Sequence, residues 1–173
     1  MFKNIIVALD GSDHARKAAD VAGDLAALYG ARVTLVHVRT SGPVSPEVKR
    51  LVEIEHLIQP SKPPVPSDVL PAEVLSFMHD AESNAELTRA LGELGHRMLD
   101  DVAETLGGKG VEEVSTELLD GNPANCILAL AERVGADLIA LGSRGMGDLK
   151  GLLLGSVSHR VSQLAECTCL TVK

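Results

Sequence analysis

The residues best suited to chemistry in this chain lie in one stretch, Asp137 to Ser158. An apolar run, Leu138-Ile139-Ala140-Leu141, breaks at once into Gly142, Gly145 and Gly147, with Gly151 and Gly155 further on. Gly155-Ser156 stands directly before a second apolar-periodic segment, Val157, Val161 and Leu164. A strand, a glycine loop and a helix start carrying a hydroxyl suit anion binding. Glycines let backbone N–H groups approach an anion, and a helix N-terminus adds unpaired donors and a partial positive charge. Two commoner glycine motifs fail on their residues. A P-loop needs a Gly-Lys pair that this loop lacks, and the dinucleotide fingerprint needs a third glycine where Lys150 stands. What remains is Gly142-x2-Gly145, nine residues, then Gly155-Ser156. That spacing reads as two anion-binding edges able to clamp a chain of phosphates, or as a flexible surface loop.

Other reactive side chains have blander readings. Ser156 has a nucleophile's position, but no His base and no Asp orienter can be assigned to it, so it reads as a phosphate donor or a helix cap. Asp10 reads as a turn cap and ligand acceptor rather than a catalytic base. The six histidines show no H-E-x-x-H or clustered Cys/His spacing, which argues against a metal site built from them. His159 and Arg160 sit one turn into the last helix, on a solvated or sheet-facing side. Lys150 either neutralises phosphate or is solvated, and Met146 is a loop packing residue. Cys126, Cys167 and Cys169 have no framework spacing and read as reduced, buried thiols.

These residues need elements to position them. Asn4 to Leu9 is a continuous apolar run that stops at Asp10-Gly11-Ser12-Asp13, where Ser12 is a suitable helix N-cap. Ala18, Ala19, Ala22, Leu25, Ala26 and Leu28 follow helical spacing up to Gly30, and Arg32 to Val38 is a second strand. Strand, helix and strand with short joints imply a parallel pair with a right-handed crossover. Thr40 to Pro71 holds seven of the eight prolines and reads as an insertion, a surface arm or lid, with a short amphipathic piece around Val48 to Ile58. Helical spacing returns from about Ala72 to Leu106 as one bent helix or two, and ends at Gly107-Gly108. Val111 to Leu119 is a third strand. Asn122 caps a helix with Pro123 at its first position, running to Gly135. Leu138 to Leu141 is strand four, Ser156 to about Ala165 the last helix, and Thr168 to Val172 strand five.

This order predicts a single α/β domain over residues 1–173, a doubly wound parallel sheet with the insertion at about 40–71. Ligands bind such sheets at strand carboxyl ends, where the strand order reverses. If strands one and four are neighbours, Asp10-Gly11-Ser12 and the glycine loop line one crevice. Composition agrees. With 2% aromatic residues and no Trp, the core must be Val, Leu, Ile and Ala, which suits parallel strands under Ala-rich helices. A formal net charge of −8 argues against nucleic acid or an anionic membrane as partner, but N–H donors hold phosphate without net positive charge. No apolar run has the length of a membrane span and no signal-peptide pattern is present, so the expectation is a cytoplasmic protein.

G-x2-G-x9-G-[ST] is the nucleotide-binding signature of the universal stress protein family, and GSRGMGDLKGLLLGSVSHRV resembles an intact copy. IIVALDGS, the strand ending His37-Val38, the Gly121-Asn122-Pro123 turn and DLIALGSRG are also similar to that family, over roughly Phe2 to Val38 and Val111 to Val172. The proline-rich stretch is not covered, and Glu166-Cys167-Thr168-Cys169 departs from a family that tends to have Pro before the last strand. The resemblance implies an adenine-nucleotide alpha-hydrolase-like fold with strand order 3-2-1-4-5, helices on both faces, and ATP bound across the crevice. It implies Asp10 and Ala8 at the adenine or ribose end, and Val38 offering backbone contacts to adenine. Gly142, Ser143, Arg144 and Gly145 would hold ribose and phosphates. Gly155, Ser156, Val157 and Ser158 would donate to phosphates, with Mg2+ or Mn2+ carried on them. It further implies a homodimer through the fifth strand and a protein partner not identifiable from sequence. The expected function is a nucleotide-dependent stress-response or signalling module. The alternatives are a slow ATPase or autophosphorylating enzyme, with Asp148 as the nearby carboxylate, and a dimer binding another adenine nucleotide such as cAMP.

Overall fold

The computed structural model describes the backbone of residues 1–40, 72–145 and 154–173. Side chains are described for the same residues except 72–84. The chain divides into two compact units, Met1–Ser41 with His96–Lys173, and Gly42–Gly95. Of the second unit the described part is the helix from Ala72 onward, with side chains from residue 85. The packing and the site below belong to the first unit.

The strands are β1 (Asn4–Leu9), β2 (Arg32–Arg39), β3 (Val114–Asp120), β4 (Leu138–Gly142) and β5 (Thr168–Val172). The helices are α1 (Asp13–Tyr29), α2 (Ala72–Gly108), α3 (Pro123–Val134) and α4 (Ser156–Leu164). All strand pairs are parallel, and their order is β3-β2-β1-β4-β5. This is the sheet the family resemblance implied, and β1 and β4 are neighbours, with Ala8 opposite Leu141.

Alternation along the strands sorts the core into two layers, because successive side chains point to opposite faces. Ile5, Val7, Leu9, Val33, Leu35, Leu138 and Ala140 face α1 and the last turns of α2, where Leu99 and Leu106 are buried. Ile6, Val36, Ile139 and Leu141 face α3 and Val161 of α4. β1 and β4 are therefore covered on both sides, which explains their continuous apolar composition. Each fully buried Val, Leu or Ile contributes about 1.5–3 kcal/mol from apolar area.

Caps set the helix ends largely where the residue types predict them. Ser12 Oγ accepts from Ala15 N at 3.2 Å, and Gly30 closes α1 in the left-handed region at φ 62°. Asn122 accepts from Asn125 N at the start of α3, with Pro123 first in the helix. One local expectation changes, and two details left open by the sequence are settled. β3 begins at Val114, not Val111. Val111 instead finishes the cap of α2: its N–H donates to Leu106 O at 3.2 Å across Gly110, at φ 90°, and its side chain is buried. Leu28 is 73% exposed, because at 100° per residue it lies opposite the Ala15, Ala18, Ala22 and Ala26 face that meets the sheet. The open choice of one helix or two between Ala72 and Leu106 resolves as one, α2.

A close approach joins α1 to the end of α2. A Cβ on Gly23 would stand 2.5 Å from Leu106 Cδ2, so glycine admits the leucine. Beside it Lys109 Nζ lies 2.7 Å from Asp20 Oδ1 and 2.9 Å from Asp24 Oδ1. Hydrogen bonds to Asp20, then to Asp24, raise the Lys109 pKa above its ordinary 10.5. A raised folded pKa adds stability that is fully present below the unfolded value and lost as pH rises through the folded one. Lys109→Met is therefore expected to lower Tm at neutral pH and to make no difference in strongly alkaline solution. An equal drop at both would show that packing of the lysine stem, not its charge, is what counts.

Candidate nucleotide site

The carboxyl ends of β1 and β4 flank the point where the chain reverses its direction of winding, since β2 and β3 lie on one side of β1 and β4 and β5 on the other. In open α/β sheets this is where a crevice forms. Three segments meet there.

The first is the turn after β1. Asp10 Oδ1 accepts from Ser12 N at 3.0 Å, which closes the turn and aims the chain into α1. Ser12 Oγ, besides capping α1, donates to Arg144 O at 3.4 Å and so ties this turn to the bend after β4.

The second is that bend, Gly142 to Gly145. A Cβ on Gly142 would stand 2.8 Å from Ala15 N and 2.9 Å from His14 C, against the first turn of α1. Ser143 is 1% exposed and its backbone is fully used: its N–H donates to Val172 O at 2.6 Å and its carbonyl accepts from Gly155 N at 2.7 Å. Its Oγ is buried without a hydrogen-bond partner among the described residues. Arg144 and Gly145 are half-buried.

The third is the start of α4. Gly155 is the N-cap, in extended conformation, and makes no side-chain cap. Ser156, expected as cap or donor, is thus the first helical residue, and its side chain is exposed. The first intrahelical bond is His159 N–H to Gly155 O. Helix geometry then leaves the N–H groups of Ser156, Val157 and Ser158 without intrahelical partners, at the end carrying about half a positive charge. The Ser158 side chain turns inward instead, where its hydroxyl donates to Gly142 O at 2.7 Å and fastens α4 to the end of β4. His159 and Arg160 are exposed.

Ala8, Asp10, Gly142, Ser143, Arg144, Gly145, Gly155, Ser156, Val157 and Ser158 are thus gathered at neighbouring strand and helix ends. Val38 is half-buried at the end of β2, opposite Leu119 of β3. Met146, Asp148, Lys150 and the glycines between them lie outside the described residues, as does the proline-rich stretch up to Pro71.

One residue of this region, named from the sequence as part of the strand end His37-Val38, has a contact that was not foreseen. His37 Nδ1 lies 2.7 Å from Leu9 O, and because a carbonyl only accepts, Nδ1 carries the hydrogen. The bond holds the last peptide of β1 from β2, just before Asp10. A histidine at the end of a strand paired in register with β1 was the available signal. The three cysteines are free. Cys167 immediately precedes β5 and Cys169 lies in it, and burial pushes both thiols up.

The fold and the glycine bend define a class. The model of the universal stress protein family matches residues 1–55 and 52–173, and the chain belongs to that family. It is 33% identical to the universal stress protein YxiE of Bacillus subtilis, with all of both chains covered. It is 35% identical to a universal stress protein of Thermus aquaticus, again over both full lengths. Among solved structures, hypothetical protein MJ0577 superposes with a TM-score of 0.70 at 26% identity, covering 100% of this chain and 96% of that one. A universal stress protein in complex with cAMP has a TM-score of 0.60 at 20% identity, covering 99% and 96%. The Archaeoglobus fulgidus protein in complex with dAMP has 0.57 at 20%, covering 99% and 98%. The adenine-nucleotide alpha-hydrolase-like fold class expected from the sequence is thus confirmed.

Proposed function

We propose that this protein binds ATP across the crevice between the ends of β1 and β4, as a nucleotide-dependent stress-response or signalling module. The observation that carries this reading is the start of α4. Three backbone N–H groups, on Ser156, Val157 and Ser158, are left over at a helix N-terminus that no side chain among the described residues caps, beside the sheet's switch point. A phosphate group supplies the acceptors such donors lack. The Ser143 hydroxyl, buried without a partner among the described residues, also fits a ligand rich in hydrogen-bonding groups. In this reading Ala8 and Asp10 line the base-and-sugar end, and Val38 presents backbone to adenine. Gly142, Ser143, Arg144 and Gly145 hold ribose and phosphates, and Ser156 to Ser158 take the phosphates, with Gly155, whose N–H is spent on Ser143 O, starting the helix that presents them. Mg2+ or Mn2+ would arrive on the phosphates. The adenine nucleotides cAMP and dAMP in two folds of the same kind support an adenine ligand. They also favour a second reading, an adenine nucleotide with a single phosphate.

Calorimetric titration separates the outcomes. ATP is expected to bind well below about 1 mM, the level worth roughly −4 kcal/mol. Ser156→Ala is expected to weaken it by no more than about tenfold, since one hydroxyl contributes about 0.5–1.5 kcal/mol net. ATP binding no tighter than millimolar overturns the reading, and tighter binding of cAMP or AMP than of ATP replaces it with the second. Native mass spectrometry of the purified protein names the nucleotide without presupposing it.

We also place the protein in the cytoplasm, as one universal stress protein domain with the 40–71 stretch inserted in it. β5 is an edge strand, and an apolar edge left bare is a liability, so we assign a homodimer interface to it. A monomer in analytical ultracentrifugation would remove that assignment. Among the described residues no helix is long and apolar enough to cross a membrane.

A further inference from the structure

Gly145 is the second glycine of the phosphate-clamp spacing, and the obvious reason for a glycine there is close approach of a ligand. The structure offers a different reason. The backbone of Gly145 is not in the left-handed region, so its conformation alone does not demand glycine. What excludes a side chain is space. A Cβ on Gly145 would stand 2.5 Å from Asp10 Oδ2, a separation that real Cβ atoms essentially never show. The other carboxylate oxygen, Oδ1, is held by Ser12 N at 3.0 Å, so the carboxylate cannot swing away without opening the turn after β1.

We propose that Asp10 is a positioning residue: its carboxylate is an internal strut between the turn after β1 and the bend after β4, and it, rather than the nucleotide, is what reserves position 145 for glycine. The two loops that form the crevice are then held at a fixed spacing before any ligand arrives. Asp10 Oδ1 fixes the first loop, Oδ2 abuts the second, and the Ser12 Oγ bond to Arg144 O spans the same gap one residue away. His37, bonded to the Leu9 carbonyl, steadies the strand end from which Asp10 projects.

A double-mutant cycle on the unliganded protein tests this, using Gly145→Ala, Asp10→Ala and the pair. Residues in contact couple, whereas independent sites add. Gly145→Ala alone is expected to lower Tm by several degrees, roughly 2–4 °C for each kcal/mol of strain in a chain of this size. In the Asp10→Ala background the same substitution is expected to have almost no effect, because the atom it strikes is gone. Equal Tm losses in both backgrounds, or no loss in either, overturn the proposal.

A second arm rests on the ATP reading above. There Gly145→Ala is expected to weaken ATP binding by about tenfold or more in the wild-type background and by less than about threefold beside Asp10→Ala, the coupling that contacting residues show. A full loss in both backgrounds would mean that the ligand itself reads Gly145, and would overturn the proposal. If the unmodified protein binds no ATP, the proposed function fails, while the Tm cycle on unliganded protein still decides the strut.

Discussion

Gly142→Val abolishes nucleotide binding while leaving a folded protein: that is the result expected from titration of the purified variant with ATP. A Cβ at this position meets backbone, not a flexible side-chain end. Its nearest neighbours are Ala15 N at 2.8 Å and His14 C at 2.9 Å, in the first turn of α1. That turn is anchored by the Ser12 cap and cannot yield alone. Either α1 lifts from β4 or the end of β4 shifts, and two more methyl groups enlarge the displacement. Both movements disturb the Ser12 Oγ bond to Arg144 O and the Ser158 Oγ bond to Gly142 O, which hold the two loops and α4 in one place. Overpacking of this kind costs about 1–3 kcal/mol of stability. A loss of about 100-fold or more in affinity corresponds to roughly 3 kcal/mol at the site. Circular dichroism serves as the folding control. An ATP affinity within about threefold of the parent would show that the bend and α1 do not define the site.

Ile139→Ala is the second large effect. Ile139 is fully buried on β4, opposite Ile6 of β1 and Cys169 of β5, and it faces α3 and Val161 of α4. Its loss opens a cavity in the layer that carries the start of α4. Truncating a buried isoleucine to alanine costs about 2–5 kcal/mol. Urea unfolding followed by circular dichroism is expected to show that loss as a lower midpoint with an unchanged slope. Leu28→Ala is the comparison. Both residues are apolar and both fell on apolar spacing in the sequence, but Leu28 is 73% exposed and is expected to change stability by less than about 0.5 kcal/mol. Similar losses at the two positions would contradict the layer assignment.

That pair shows where reading the chain succeeds and where it stops. Ile139 was recognisable because Leu138 to Leu141 is a short, unbroken apolar run, and only a strand covered on both faces needs one. Leu28 was read correctly as helical, but its exposure was not legible, because an Ala-rich helix has a faint periodicity and a leucine two residues past Ala26 lies on the opposite side. Ser12, Asn122 and Pro123 were read correctly as helix starts, since capping is a contact over three residues and is visible in local sequence. Val111 was assigned to a strand because its burial in the α2 cap depends on the Gly110 turn, which fixes where the chain goes next.

The candidate site divides along the same line. The glycines, the hydroxyls after them and Asp10 were all evident from residue type and spacing, and the family could be recognised from them. Local sequence also determined that the loop after β4 could take an anion, because glycine and a helix start act through their own backbone. Only the tertiary structure decided that Asp10 fills the space beside Gly145, that α1 fills the space beside Gly142, that His37 holds the Leu9 carbonyl, and that the Ser158 hydroxyl is spent on Gly142 O. Each of these is a contact between segments far apart in the chain. Close packing sets such contacts by what neighbouring atoms exclude, and one segment's sequence carries no record of its neighbour's atoms.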